Sequence, residues 1–260
     1  MDMSGLDPSI LGPAFVAGVL VLASHVPLGR EVLSRGIIFI DLAVAQIAGL
    51  GVIAAHTFGA GQHPFAVQAA ALAAALGGAA LLNWSEDRFP EVQEALIGVS
   101  FVLAATLGIL LLADNPHGGD QLRELLVGQI LWVTPGMLWA AAAVSAAVLA
   151  VWFGAGPARL GRSGFYLLFA VVVTFSVQLV GVYLVFASLI IPALATRKLS
   201  GRRALAYGWG LGLAGYAVGL VASALFDLPT GALIVWALAV LGAIMAAMSG
   251  RATPSSAAQT

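Results

Sequence analysis

Along this chain the apolar residues come in long unbroken runs, not at the spacing of one helix face, and the polar residues are gathered between the runs. A helix needs about 20 mostly apolar residues to cross a hydrocarbon layer about 30 Å thick. Runs of that size occupy residues 9–26, 37–58, 64–83, 95–113, 130–153, 165–195, 204–226 and 230–248. The pattern predicts an all-α integral membrane protein, a polytopic helical bundle of eight or nine spans. The linkers PLGREVLSRG, NWSEDRFPEVQE, DNPHGGDQLRE, GPARLGRSG and TRKLSGRR carry most of the charge. Residues 1–250 read as one transmembrane domain and the polar stretch 251–260 as a disordered tail.

Lysine and arginine in short loops stay on the cytoplasmic side. Arg30 and Arg35 follow the first run, Arg88 the third, Arg159 and Arg162 the fifth, and Arg251 the last. Strict alternation fails at Arg197, Lys198, Arg202 and Arg203 if 165–195 crosses once, and is restored if 165–195 is a hairpin. That stretch is too short for two ordinary spans. One arm must therefore be short or re-entrant, which is tolerated where its backbone is buried against protein. Thr174, Ser176, Gln178 and Gly181 lie near the expected bend, where they would satisfy freed backbone groups. The result is nine passes with the N-terminus outside, the C-terminus inside and Arg123 the one basic residue on the outer side.

Composition narrows the function. Charged residues make up 9% and hydrophobic ones 61%, against about 25% charged in a soluble domain. A net charge of −1 with no basic tract gives no reason to expect a nucleic-acid partner. With no cysteine there are no disulfides and no thiolate ligands. Any metal ion must meet imidazole, carboxylate, amide or backbone oxygen, which suits Zn, Mn or Fe better than Cu(I).

Asp41 lies inside the second run, in GIIFIDLAVAQIAGLG, and an intramembrane carboxylate is costly enough to mark a pathway. Gln46, five positions on, sits about 140° around a regular helix from Asp41, so the two do not share one face. His56 and His63 from one outer loop, with Asp114, His117, Asp120 and Glu124 from another, are candidate donors for a metal-ion vestibule. Their spacing matches no compact metal motif. His25 reads as a packed or interfacial histidine. There is no HExxH, no GxSxG and no GxxxxGK[ST] phosphate loop. The chain is thus not expected to be an enzyme, and a transporter driven by ATP would need its ATPase from another polypeptide.

GVYLVFASLIIPALATRKL (181–199) resembles a signature of the membrane permeases of zinc, manganese and iron ABC importers, with Gly181, Leu184, Val185, Ile190, Ile191, Pro192, Ala193 and Arg197 matching in order. LGREVLSRGIIFIDLAVAQIAGLG, EALIGVSFVLAATLGILLL, LLVGQILWVTP and DLPTGALIVW are similar to further segments of that family, so the likeness runs along nearly the whole chain. It implies the type II ABC importer fold, a homodimer in the lipid of a bacterial cytoplasmic (inner) membrane, two cytoplasmic ABC ATPase subunits, and a periplasmic or surface metal-binding protein that delivers the ion. No resident cofactor is implied; the divalent metal ion is cargo. The family's coupling segment maps onto 191–203, with Pro192 setting the turn and Arg197, Lys198, Arg202 and Arg203 near the ATPase. Proline lacks an N–H and disfavours helix before it, which suits that turn. The family's second span commonly pairs Asp with a His four residues later; here Asp41 is followed at that spacing by Ala45, with Gln46 beside it. Two alternatives remain: a chelate or siderophore permease of the same architecture, and a stand-alone secondary transporter.

Overall fold

The computed structural model describes residues 7–251, all of whose regular elements are helical. Ten helices follow in order: α1 (Pro8–Arg35), α2 (Ile40–Thr57), α3 (Pro64–Arg88), α4 (Gln93–Leu111), α5 (Gly118–Val127), α6 (Pro135–Ala155), α7 (Pro157–Val180), α8 (Val182–Ala195), α9 (Gly201–Phe226) and α10 (Thr230–Arg251). Eight stretches are long and apolar enough to cross a membrane, and α8 is a shorter apolar helix. The expected disordered tail falls beyond Arg251, outside the described residues.

Helix α1 runs nine residues past the predicted end of its apolar run, straight through Pro27. Asp7 caps its start by accepting from the Ser9 N–H at 2.8 Å, and the hydrogen bonds from Ser9 hold the Asp7 carboxyl below its ordinary value. The expected linker PLGREVLSRG stays helical because Arg35 pairs with Glu31 one turn back at 2.8 Å. It ends at Gly36, whose left-handed backbone (φ 72°) lets the Gly36 and Ile37 N–H groups reach Leu33 and Val32. The predicted span at 130–153 begins later, at Pro135. A residue before proline is pushed out of the helical region, and Thr134 instead caps α6 through Met137 N–H. The expected linker DNPHGGDQLRE contains the amphipathic helix α5.

The hairpin in 165–195 is present. Its outgoing arm, α7, starts at Pro157, eight residues earlier than predicted, and bends at Gly161. Its return arm, α8, has 14 residues, or about 21 Å. The turn is Gly181 alone. Thr174 and Gln178 lie inside α7 and donate to carbonyls of that helix, so they do not satisfy freed groups at the bend, and Ser176 also lies inside the helix.

Side-chain contacts fix which loops share an end. Arg30, near the end of α1, donates to the Thr196 carbonyl (3.3 Å), the Thr196 hydroxyl (3.2 Å) and the Leu199 carbonyl (3.1 Å). Arg162 at the start of α7 pairs with Asp87 at the end of α3 and donates to Asn83 at 3.0 Å. The Arg35 guanidinium stands 4.5 Å from the centre of the Phe165 ring. Glu94 of α4 accepts from the Phe39 N–H ahead of α2. The loops bearing Arg30, Arg35, Arg88, Arg162 and Arg197 therefore lie at one end of the bundle, as the hairpin reading required. At the other end, Ile10, Arg123, Asp227 and Thr230 line one cavity.

Candidate functional site

Helix α2 packs between small residues on either side. A side chain on Gly51 would meet Ala70, Ala71 and Ala74 of α3, while Gly49 faces Leu125 of α5 and Ile53 reaches Gly108 of α4. Asp41 stands in the first turn, on a face shared with Ala45 and Ala48, all three buried. The Asp41 carboxylate is 0% exposed, and neither oxygen has a hydrogen-bond partner. Most buried carboxylates are paired, because leaving one unpaired costs several kcal/mol. This one is held by packing and left unsatisfied, which marks it as functional. Ala45, fully buried, brings no imidazole to the neighbouring turn.

Gln46 points elsewhere. It lines an apolar cavity of about 630 Å³ with Leu42, Phe101, Phe186 and Trp236, and Asp41 is not among the lining residues. The helical angle between the two positions thus separates them, as the sequence spacing required.

The six vestibule candidates all lie on exposed surface: His56 in the last turn of α2, His63 capping α3, Asp114 in the loop after α4, His117 capping α5, and Asp120 and Glu124 on α5. Asp120 and Glu124 line the cavity of about 760 Å³ at the end away from the basic loops, together with Arg123 and Asp227. Asp227 holds a left-handed backbone, φ 51°, at the end of α9. Among the described residues no three His, Asp or Glu side chains come together as a metal cluster.

His25 is fully buried, so it is not interfacial. Its Nδ1 donates to the Val21 carbonyl at 2.8 Å, and its Nε2 is buried without a partner.

At the basic end, α8 closes on Thr196, whose hydroxyl donates to the Pro192 carbonyl at 2.7 Å. Pro192 sits buried within α8 itself, and the turn comes four residues after it. Arg197, Lys198, Arg202 and Arg203 follow in the exposed turn and the first turn of α9. Two contacts here were not visible in the sequence. One is the Arg30 clamp on the Thr196–Leu199 turn. The other is a backbone meeting of Gly128 with Gly181, both at positive φ: a Cβ on Gly181 would lie 2.5 Å from the Val127 carbonyl carbon and 2.7 Å from Gly128 Cα. The glycines were legible, but their partners, some 50 residues apart in sequence, were not.

The model of the ABC 3 transport family matches residues 8–155 and 157–249. The chain belongs to the ABC 3 transport family. Among curated ABC 3-like sequences it is 26% identical over 259 residues to the manganese transport system membrane protein MntC of Halalkalibacterium halodurans, with 92% of this chain and 87% of that one covered. It is also 26% identical over 255 residues to an uncharacterized membrane protein of Synechocystis, covering 90% and 88%. Among solved structures, PsaBC from Streptococcus pneumoniae in complex with Fab superposes with a TM-score of 0.76 at 20% identity, covering 94% of this chain and 95% of that one. An inward-facing metal-chelate type ABC transporter superposes with a TM-score of 0.70 at 18% identity, covering 91% and 85%. This ABC 3 protein is a multi-pass membrane permease with the fold of ABC transporter permeases.

Proposed function

We propose that this permease imports a divalent metal ion, manganese or zinc, across a bacterial cytoplasmic membrane, as a homodimer driven by separate ATPase subunits. The observation that carries this reading is Asp41, a buried carboxylate with two unpartnered oxygens inside a membrane bundle. A passing cation satisfies both oxygens, and carboxylate oxygen suits Mn²⁺ and Zn²⁺. The relative named for manganese transport supports the same cargo. With Ala45 where an imidazole would stand, the ion is held weakly, which favours release. A metal-binding protein delivers the ion to the outer end, where Asp120 and Glu124 line the wide cavity and His56, His63, Asp114 and His117 stand exposed. The ATPase subunits grip the exposed turn with Arg197, Lys198, Arg202 and Arg203, set by the α8 terminus after Pro192.

Asp41→Ala tests the pathway. Uptake of manganese and zinc by cells that depend on this permease should fall to background. The purified variant should melt no lower than the parent, because the unsatisfied carboxylate contributes nothing to packing. Unchanged uptake would remove Asp41 from the pathway. Replacing Arg197 and Lys198 together by Glu should release the ATPase subunits on co-purification, and full retention would refute the docking role.

The cavity beside Gln46 favours a second reading, a metal chelate as cargo, since about 630 Å³ of apolar space exceeds the needs of a bare ion. Uptake of free ion set against the same ion pre-bound to a chelator separates the two.

A further inference from the structure

A furrow of about 1040 Å³ runs between α9 and α10 at the basic end. Its floor is the small-residue row Ala206, Gly210 and Ala214, spaced four apart along α9 and exposed. Leu241 and Met248 of α10 form the facing wall, and Tyr207 and Arg203 stand at its mouth. The two other wide apolar cavities, beside Gln46 and beside Phe39, contain no charged residue.

Arg203 has no hydrogen bond and no ion pair within the described residues. The ion pairs there join Arg35 to Glu31 and Arg162 to Glu86 and Asp87. Neither α9 nor α10 contains an Asp or Glu. Arg202 and Arg203 also stand in the first turn of α9, where the helix dipole disfavours cations and where Ser200 supplies no capping hydrogen bond. This end of the furrow therefore lacks a negative charge that the helices around it do not provide. A second copy of the chain would bring another acid-free α9–α10 face. An anionic phospholipid brings both missing parts, an acyl chain for the furrow and a phosphate for the arginine.

We propose that the α9–α10 furrow is a binding site for an anionic phospholipid, with its acyl chain on the Ala206–Gly210–Ala214 floor and its phosphate on Arg203. Arg203 then belongs to the lipid, and the docking turn is left to Arg197 and Lys198. Arg203 anchors the start of α9 at the membrane surface beside that turn. The site does not depend on which cargo is carried.

The experiment is native mass spectrometry of the purified chain in detergent, offered phosphatidylglycerol or phosphatidylcholine in equal amounts. The parent should retain phosphatidylglycerol about fivefold better, the factor one basic residue contributes beside an anionic headgroup. Arg203→Gln should abolish that preference, Gly210→Leu should reduce retention of both lipids by filling the floor, and Arg123→Gln at the opposite end should change neither. Equal retention of the two lipids by the parent, or an undiminished preference in Arg203→Gln, overturns the proposal. So does a loss of dimer in Gly210→Leu with lipid retention intact, which would assign the furrow to a second copy. If Gly210→Leu does not fold, Arg203→Gln against the parent decides alone.

Discussion

The turn at Gly181 gives a prediction whose size follows from geometry. Gly181 has φ 81° and ψ 162°, and a side chain there would meet backbone, not a movable side chain: Val127 C at 2.5 Å and Gly128 Cα at 2.7 Å. Gly181→Ala therefore incurs two costs. Backbone strain at this φ and ψ is about 1–3 kcal/mol. Forcing apart two packed backbones adds roughly 1–3 kcal/mol. Gly156 separates the two, because it has nearly the same conformation (φ 77°, ψ 153°) with nothing within 4 Å of its absent Cβ. Gly156→Ala should incur the strain alone. Gly77, inside α3 with open space around it, should gain about 0.5–1 kcal/mol as alanine. Melting of the purified chain, followed by tryptophan fluorescence, should respond by roughly 2–4 °C per kcal/mol. On that scale Gly181→Ala loses about 4–24 °C, Gly156→Ala about half as much, and Gly77→Ala none. A Gly181→Ala variant that melts no lower than Gly156→Ala would refute the claim that the hairpin turn is fixed by its contact with Gly128.

Two further outcomes are expected. Arg30→Gln removes three charge-assisted hydrogen bonds to the Thr196–Leu199 turn and should cost about 1–3 kcal/mol, with hydrogen exchange rising at 196–200 and Arg30→Lys recovering part of the loss; unchanged exchange would refute the clamp. Tyr216→Phe strands the buried Ser188 hydroxyl, 2.9 Å from the Tyr216 oxygen, and should cost about 1–3 kcal/mol, while adding Ser188→Ala should return much of it; additive losses in that double-mutant cycle would contradict the pairing.

Hydrophobic runs made the spans legible because a bilayer imposes one length on every helix that crosses it. The hairpin was legible from charge placement alone, since Arg197–Arg203 had to share an end with Arg30 and Arg35. Helix α5 was hidden because ten residues of mixed polarity look like a charged linker, and α1 was underrun because its last turns are polar and anchored by a local ion pair. At the site, Asp41 was legible because a carboxylate in an apolar run has no cheap explanation. Its isolation from Gln46 followed from helical angle. Arg30 was read only as a topology marker, because its partners lie 166 and 169 positions away and are mostly backbone carbonyls, which leave no trace in residue identity.

Helix α1 ties these parts together. It grips the Thr196–Leu199 turn through Arg30, and Trp209 of α9 donates to its Leu22 carbonyl at 3.1 Å. It therefore holds the elements on both sides of the docking turn. Its 28 residues reach as one piece to Ile10 and Leu11 on the rim of the far cavity, a rod about 42 Å long. A push delivered at one face of the membrane has a stiff lever to the other, with no loop in between to absorb it.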